Sequence, residues 1–260
     1  MTTPVALHHV IDGPADAPVL LLANSLGSTI AMWEPQLPRL TAGFRVVRFD
    51  TRGHGRSPVP AGPYALADLG ADVLALLDRL DVERAHFAGL SLGGMVGMWL
   101  AAHAPQRVDR LVLCCTSARL GPPEAWAERA RTVRAQGTAA VADAVVQRWF
   151  TPAYAARHSP RIAAMRAMVA ATPAEGYASC CTAIQEMDLV PALPRITAPT
   201  LVIAGADDPA TPPVHASTIA GHLAGARVTV VPDAAHLANV EQPDRVTDLI
   251  LEHLNGEEKP

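Results

Sequence analysis

A serine between two glycines, in the segment Gly89-Leu90-Ser91-Leu92-Gly93, constrains the fold of this chain more than any other feature. An apolar run precedes the segment and a helical pattern follows it. The pattern predicts a strand, a sharp turn with Ser91 at its apex, and then a helix. Glycine is favoured two residues either side of the apex, where a Cβ atom would collide with neighbouring chain. We expect a strained backbone with φ above zero at Ser91 and an exposed hydroxyl.

Short apolar runs alternate with helical patterns along most of the chain. Six runs predict strands of a parallel sheet covered on both faces, and they lie at residues 19–23, 44–49, 85–89, 111–115, 200–205 and 227–231. Helical patterns separate many of them, at residues 66–80, 92–104, 213–223 and 239–254. This order predicts βαβ units. Residues 5–11 are expected to add an antiparallel strand at one edge.

The alternation stops between about residues 119 and 194, where only helices are predicted. Their ranges are 123–136, 138–150, 160–171 and 173–187, with prolines at or near the starts, as is common in a first helical turn. We interpret 119–194 as a helical lid inserted into a core domain formed by 1–118 and 195–260. The alternative, that these helices only cover the sheet, explains poorly why no strand separates them.

Composition argues against several classes of function. The formal net charge is −4 and no basic cluster is visible, so no nucleic-acid partner is expected. The chain has no uninterrupted apolar stretch of about 18 residues and no signal-peptide pattern, so we expect neither a membrane span nor export. The four cysteines form two adjacent pairs without zinc spacing, and they are predicted to be buried thiols in a reducing cytoplasm. Neither a metal nor a cofactor is expected.

A serine hydroxyl is a weak nucleophile that needs a base, and the base needs a group that orients it. Asp207 and Asp208 follow one predicted strand, and His236 follows the last one. The carboxyl ends of parallel strands lie at the crevice where open α/β sheets carry out chemistry. Of the ten histidines, only His236 lies in the loop directly after the last predicted strand. We expect His236 to take the proton from Ser91 and one of the two aspartates to orient the imidazole.

The chain resembles α/β-hydrolases over nearly its whole length, and among them the 3-oxoadipate enol-lactonases. The resemblance is carried by LANSLGS at 22–28, MWEPQL at 32–37, RFDTRGHG at 48–55, GLSLGGM at 89–95 and RWFTP at 148–152. It implies a mostly parallel, eight-stranded sheet with helices on both faces and a helical lid. It further implies hydrolysis of the enol-lactone of 3-oxoadipate, in bacterial breakdown of aromatic compounds, by acyl transfer to Ser91.

The resemblance also implies roles for particular residues. It favours Asp208 over Asp207 as the acid, because the spacing of Asp208 from the preceding strand matches similar hydrolases. It implies an oxyanion hole formed by the backbone N–H groups of Leu92 and Leu26. This chain has Asn-Ser at 24–25 where many relatives have His-Gly, and that departure is the reason for placing the second donor at Leu26.

The substrate that the resemblance implies is a small molecule with a carboxylate, so a cation should meet it. Trp126, Arg129 and Val133 are spaced to share one face of a predicted lid helix. Arg129 is our candidate for the carboxylate partner, and Trp126 for an apolar wall. The alternative is that Arg129 is a solvated side chain. Trp149 is a further candidate for substrate contact, with packing inside the lid as its alternative.

Two other functions compete with the enol-lactonase. One is another lidded hydrolase, either a small-ester esterase or an enzyme that cleaves a carbon–carbon bond. The other is a receptor that binds a ligand without reaction, and the complete set of Ser91, Asp208 and His236 argues against it. The sequence also leaves open whether water, activated by His236, attacks the substrate directly instead of an acyl-enzyme.

Overall fold

A computed structural model of the protein describes residues 3–256, and its strands form one sheet. The order across the sheet is β1-β3-β2-β4-β5-β6-β7. The strands are β1 (His9–Asp12), β2 (Val19–Ala23), β3 (Arg45–Phe49), β4 (Ala85–Leu90), β5 (Val108–Cys114), β6 (Thr200–Gly205) and β7 (Arg227–Val231). β1 runs antiparallel to β3, and every other pair is parallel. The predicted α/β class and the antiparallel edge strand are therefore confirmed.

Seven strands occur in the described residues, where the resemblance implied eight. The edge strand is also shorter than the predicted span of 5–11. The reason is visible in the backbone hydrogen bonds ahead of it. The N–H of Val5 donates to the Asp72 carboxylate (2.8 Å) and the N–H of His8 donates to the Ser57 hydroxyl (2.9 Å). These residues satisfy their amides with side chains, so they do not extend the ladder as a further strand would.

The α-helices follow the predicted pattern closely. They are α1 (Leu37–Leu40), α2 (Leu66–Arg79), α3 (Leu92–His103), α4 (Pro123–Gln136), α5 (Ala139–Trp149), α6 (Pro152–Arg157), α7 (Ser159–Ala170), α8 (Ala174–Glu186), α9 (Pro213–His222), α10 (Ala238–Glu241) and α11 (Pro243–Leu254). The single helix predicted at 239–254 is two helices, because Pro243 lacks the N–H that would continue the first. The short α6 was not predicted, although Thr151 caps it and Pro152 begins it.

Helices α4 to α8 occupy the chain between β5 and β6, and we call residues 119–194 the helical insertion. Within it, α4 packs against α8 and α5 packs against α7. The N–H of Leu189 donates to the carbonyl of Ala118 (2.8 Å), so the two ends of the insertion meet. The insertion stands at the end of the sheet where Ser91 lies, since residues of α4, α5 and α8 line one cavity together with Ser91.

The sheet forms the centre of the core. Every residue of β4 and β6 is buried, as expected for parallel strands covered on both faces. The core continues without interruption into the helical insertion through side chains such as Val133, Val146 and Tyr177. Within residues 3–256, no helix combines the length and apolar character needed to cross a bilayer.

Candidate active site

Ser91 lies in the sharp turn between β4 and α3 that the glycine pattern predicted. Its backbone angles are φ 57° and ψ −116°, so the predicted strain is present. A Cβ atom on Gly89 would lie 2.3 Å from the carbonyl oxygen of Gly93, and one on Gly93 would lie 2.3 Å from that of Ala23. Only glycine allows β4, the turn and α3 to approach this closely.

The expected exposure of Ser91 to solvent is wrong, since its side chain lies in an enclosed site. Ser91 is 8% exposed, yet it lines a cavity of about 260 Å³ together with His236. The cavity is closed on the far side by residues of the helical insertion, including Trp126 and Trp149. The turn pattern describes only the backbone around Ser91, whereas the helices that line the cavity with it come from residues 119–194.

The imidazole of His236 is bound to the carboxylate of Asp208. Nδ1 of His236 lies 2.8 Å from Oδ2 of Asp208, and both side chains are buried. Asp208 follows β6 and His236 follows β7, which are neighbouring parallel strands, so both side chains stand at the carboxyl edge of the sheet. Because Nδ1 is directed at Asp208, Nε2 is the ring nitrogen left to act as a base in the cavity.

Thr211 and Ala210 hold the Asp208 carboxylate in place. The N–H groups of Ala210 and Thr211 donate to Oδ1 (2.8 and 3.0 Å), and the Thr211 hydroxyl donates to Oδ2 (2.7 Å). Burial by itself would raise the pKa of Asp208, but the charge of His236 and these hydrogen bonds outweigh it and place the pKa below its ordinary value. Asp208 is therefore ionised at neutral pH and accepts a hydrogen bond from the imidazole.

Asp207 does not reach the imidazole. Its side chain is exposed, and its backbone N–H donates to the carbonyl of Ala234 (2.9 Å) in the loop before His236. The two adjacent aspartates therefore have different surroundings, and the one that the structure brings to His236 is Asp208.

Two backbone N–H groups beside Ser91 are free to bind an anion. Neither Leu26 nor Leu92 donates its N–H to an acceptor among residues 3–256. By contrast, the N–H groups of both residues next to Leu26 have acceptors. The Ser25 N–H contacts the Met32 sulfur (3.3 Å), and the Gly27 N–H donates to Nε2 of the buried His54 (2.9 Å). The N–H of Gly93 donates to the carbonyl of Asn24 (3.0 Å) and fixes the loop that follows β2 against the start of α3.

Two arginines reach the cavity from the helical insertion. Arg129 of α4 and Arg148 of α5 both line it, and the Arg129 guanidinium stands 4.6 Å from the centre of the Trp126 ring. Neither arginine forms a salt bridge with a carboxylate in the described part of the chain. Burial, together with the nearby Arg129 charge, lowers the pKa of Arg148. Two partly buried cations without an anion are expected to attract one.

Arg148 and Tyr177 are among the lining residues that were not predicted from the sequence. The buried Tyr177 of α8 lines the cavity near both arginines, and burial raises the pKa of its hydroxyl. A signal for Arg148 was present, since Val145, Arg148 and Trp149 are spaced three and four residues apart and all line the cavity. The three candidates Trp126, Arg129 and Trp149 also line it. Among the residues described, no group of three or more His, Cys, Asp or Glu is arranged to hold a metal ion.

The sheet order and the positions of these side chains define a class of protein, and comparison with known proteins agrees. The family model described as the alpha/beta hydrolase fold matches residues 18–243. The chain therefore belongs to the alpha/beta hydrolase family.

Within the family, the resemblance to enol-lactonases is confirmed. 3-Oxoadipate enol-lactonase 2 from Acinetobacter baylyi (strain ATCC 33305 / BD413 / ADP1) is 42% identical over 239 residues, which are 92% of this chain and 89% of that protein. The crystal structure of the enol-lactonase from Burkholderia xenovorans LB400 gives a TM-score of 0.94 at 45% identity, with 96% of each chain covered. The structure of a thermophilic esterase from Thermogutta terrifontis with malate bound gives a TM-score of 0.90 at 32% identity, covering 97% of this chain and 94% of that one.

Proposed function

We propose that this protein is a carboxylic ester hydrolase that converts 3-oxoadipate enol-lactone into 3-oxoadipate. The observation that carries the proposal is one cavity that holds both reactive and binding groups. Ser91 and the Asp208-bound His236 line it from the core, and Arg129 and Arg148, which have no carboxylate partner in the described residues, line it from the helical insertion. Relatives named as 3-oxoadipate enol-lactonases support the choice of a lactone substrate with a carboxylate.

Ring opening is the first step. His236 Nε2 removes the proton from the Ser91 hydroxyl as its oxygen attacks the lactone carbonyl carbon, and Asp208 stabilises the imidazolium that forms. The carbonyl oxygen becomes an anion that the N–H groups of Leu26 and Leu92 bind. One such donor typically stabilises the transition state by about 3 kcal/mol. The carbon–oxygen bond of the ring then breaks, and the ring oxygen leaves as an enol protonated by His236. The enol becomes a ketone, which makes reclosure unfavourable.

Hydrolysis of the acyl-enzyme is the second step. His236 takes a proton from a water molecule, whose oxygen attacks the ester carbon on Ser91. The ester bond breaks, the serine oxygen recovers a proton from His236, and 3-oxoadipate leaves with two carboxylates. Attack by activated water on the lactone itself is the alternative, and trapping of an acylated Ser91 by rapid quench and mass spectrometry distinguishes the two.

The arginines recognise the carboxylate that the lactone already carries. Arg148 and Arg129 supply charge-assisted hydrogen bonds, which are stronger than neutral ones. Trp126 and Trp149 form apolar walls around the ring. The helical insertion thus serves as a lid, with the core domain of 1–118 and 195–260 supplying the reactive groups, and it excludes water that would weaken these interactions.

A cytoplasmic location completes the proposal. All four cysteines are buried and unpaired, which suits a reducing compartment.

Turnover of two substrates tests the function. The purified enzyme is expected to hydrolyse 3-oxoadipate enol-lactone with a far higher kcat/KM than p-nitrophenyl acetate, and Ser91→Ala is expected to lose both activities. A higher kcat/KM for the simple ester would replace the lactonase with an esterase. Absence of any labelling by an active-serine phosphonate would favour a receptor.

Substitution of Arg148 tests the recognition of the carboxylate. Arg148→Met is expected to lower kcat/KM for the enol-lactone by about 10- to 100-fold, because a hydrogen bond to a charged group is lost. Turnover of p-nitrophenyl acetate, which is neutral, should change little. Arg131→Met on the same insertion is the matched control, since Arg131 is exposed and pairs with Glu128. Equal losses with both substrates would remove the binding role of Arg148.

A further inference from the structure

The loop that carries His236 is hydrogen-bonded to the rest of the protein on both sides of the histidine. On one side, the N–H of Ala235 donates to Oε2 of Glu241 (2.9 Å). On the other side, the N–H of Leu237 donates to the carbonyl of Trp149 (2.9 Å), at the end of α5. The position of the imidazole therefore depends on Glu241 and on the helical insertion, and not only on β7.

Glu241 itself is bound to the same part of the insertion. Its carboxylate accepts the backbone N–H of Thr151 (3.1 Å to Oε1) and also the Thr151 hydroxyl. Glu241 is 7% exposed, and Thr151 lies 90 positions away in the sequence. A single buried carboxylate thus connects the backbone next to His236 with the backbone that leaves α5.

The connected segment also forms the wall of the cavity. Arg148 and Trp149, just ahead of Thr151, both line it together with Ser91. A ligand that binds these side chains therefore contacts a segment whose next residues hold the His236 loop. Glu241 is not among the residues that line the cavity, so its hydrogen bonds act on the reaction through the backbone that they hold.

We propose that Glu241 is a positioning residue for the base: its hydrogen bonds hold the loop of His236 at a fixed position relative to the helical insertion. The inference rests on the proposed function, in which His236 is the base and Ser91 the nucleophile. It goes further by assigning to a residue outside the cavity the task of fixing the base. Reacting groups need alignment to a fraction of an ångström, and a misplacement of about 1 Å can cost 10²-fold in rate.

The substitution Glu241→Gln tests this role without changing the size of the side chain. A carboxylate offers two acceptor oxygens: Oε2 accepts the Ala235 N–H, and the Thr151 N–H lies 3.1 Å from Oε1 and 3.3 Å from Oε2. A carboxamide has one oxygen and one NH₂ group, so its NH₂ replaces one of these acceptors. In either orientation the variant loses one acceptor oxygen and the negative charge, and both losses weaken the connection.

Glu175→Gln is the matched control. Glu175 lies in the helical insertion and, like Glu241, connects the insertion with the core, since it accepts from the N–H of Gly62 (3.3 Å); it also pairs with Arg134. It forms no hydrogen bond with the His236 loop. Its substitution weakens attachment of the lid to the core but leaves the proposed connection intact.

The readouts are kcat, KM and the rate at which an active-serine phosphonate inactivates each variant. Glu241→Gln is expected to lower kcat and the inactivation rate together by about 10²-fold, with KM within about twofold of wild type. Glu175→Gln is expected to retain both rates. The inactivation rate needs no lactone, so this comparison gives its answer whichever ester the enzyme prefers.

Rates in folded Glu241→Gln that match those of Glu175→Gln would overturn the proposal, as would a loss confined to KM. Thr151→Val provides a second, milder variant in case Glu241→Gln does not fold. It removes the hydroxyl donor and keeps the backbone N–H, so kcat should fall by roughly three- to tenfold. An unchanged kcat in Thr151→Val, with unchanged inactivation by the phosphonate, would also contradict the role.

Discussion

At the scale of single residues, the site combines a carboxylate held by several hydrogen bonds with backbone N–H groups that have no acceptor in the described residues. Asp208 receives three hydrogen bonds besides that of the imidazole, so its two oxygens are fixed before any substrate arrives. The N–H groups of Leu26 and Leu92 have no acceptor in residues 3–256. Such preorganisation stabilises a transition state because no reorientation is needed when charge develops.

Asp208→Asn is expected to reduce kcat by about 10⁴-fold, since an amide favours the wrong tautomer of His236. The neighbouring substitution Asp207→Asn is the control, because Asp207 is exposed and makes no contact with the imidazole. Steady-state rates of the two variants, with circular dichroism to verify folding, provide the comparison. A large loss of kcat in Asp207→Asn alone would show that Asp207, and not Asp208, is the acid.

At the scale of elements, the contact between β2, β4 and α3 determines where Ser91 stands. α3 begins directly after the strained turn, and Gly93 in its first turn lies against the backbone of Ala23. The N–H of Gly93 also donates to Asn24. Close approach of these elements brings the loop after β2, with Leu26, beside the N-terminus of α3.

Gly93→Ala is expected to destabilise the protein, because its Cβ would lie 2.3 Å from the Ala23 carbonyl oxygen. We expect a fall in Tm of roughly 5–10 °C, from about 3 kcal/mol of overpacking, together with a loss of kcat as the turn shifts. Gly221→Ala is the control within another helix, since a Cβ there meets no atom within 4 Å. That substitution should raise Tm by roughly 1–3 °C, because alanine favours helix. Equal Tm values for the two variants, measured by calorimetry, would contradict this account.

At the scale of the whole molecule, a buried histidine that does not line the cavity makes the stability of the fold depend on pH. His54 is fully buried, accepts the N–H of Gly27 at Nε2 (2.9 Å) and contacts the carbonyl of Arg52 through Nδ1 (3.2 Å). Accepting a hydrogen bond at Nε2 requires the neutral ring. Burial lowers the pKa of His54 from 6.5 to about 4. His54 is therefore held in the fold as a neutral ring.

The sign of the pH effect follows from proton binding. Between pH 6.5 and 4 the unfolded chain protonates His54 and the folded protein does not, so this contribution is complete above pH 6.5 and is lost as pH falls. The free energy of unfolding should fall by about 2 kcal/mol between pH 7 and pH 5 from this group. His54→Gln, whose amide oxygen also accepts from Gly27, should lack that part of the decrease. Urea titrations of both proteins at the two pH values test this, and identical decreases would remove His54 as the cause.

The sequence by itself determined the alternation of strands and helices, the strained turn at Ser91 and the position of His236 after the last strand. These features follow from local periodicity and turn chemistry, which act over a few residues. Only the tertiary structure decided that Asp208, and not Asp207, reaches the imidazole, which side chains share a cavity with Ser91, and that Arg148 stands near Arg129. Each of these depends on contacts between segments far apart in the chain. Local sequence determines the backbone conformation of a residue within its own helix, strand or turn. The packing of distant elements determines which side chains it contacts.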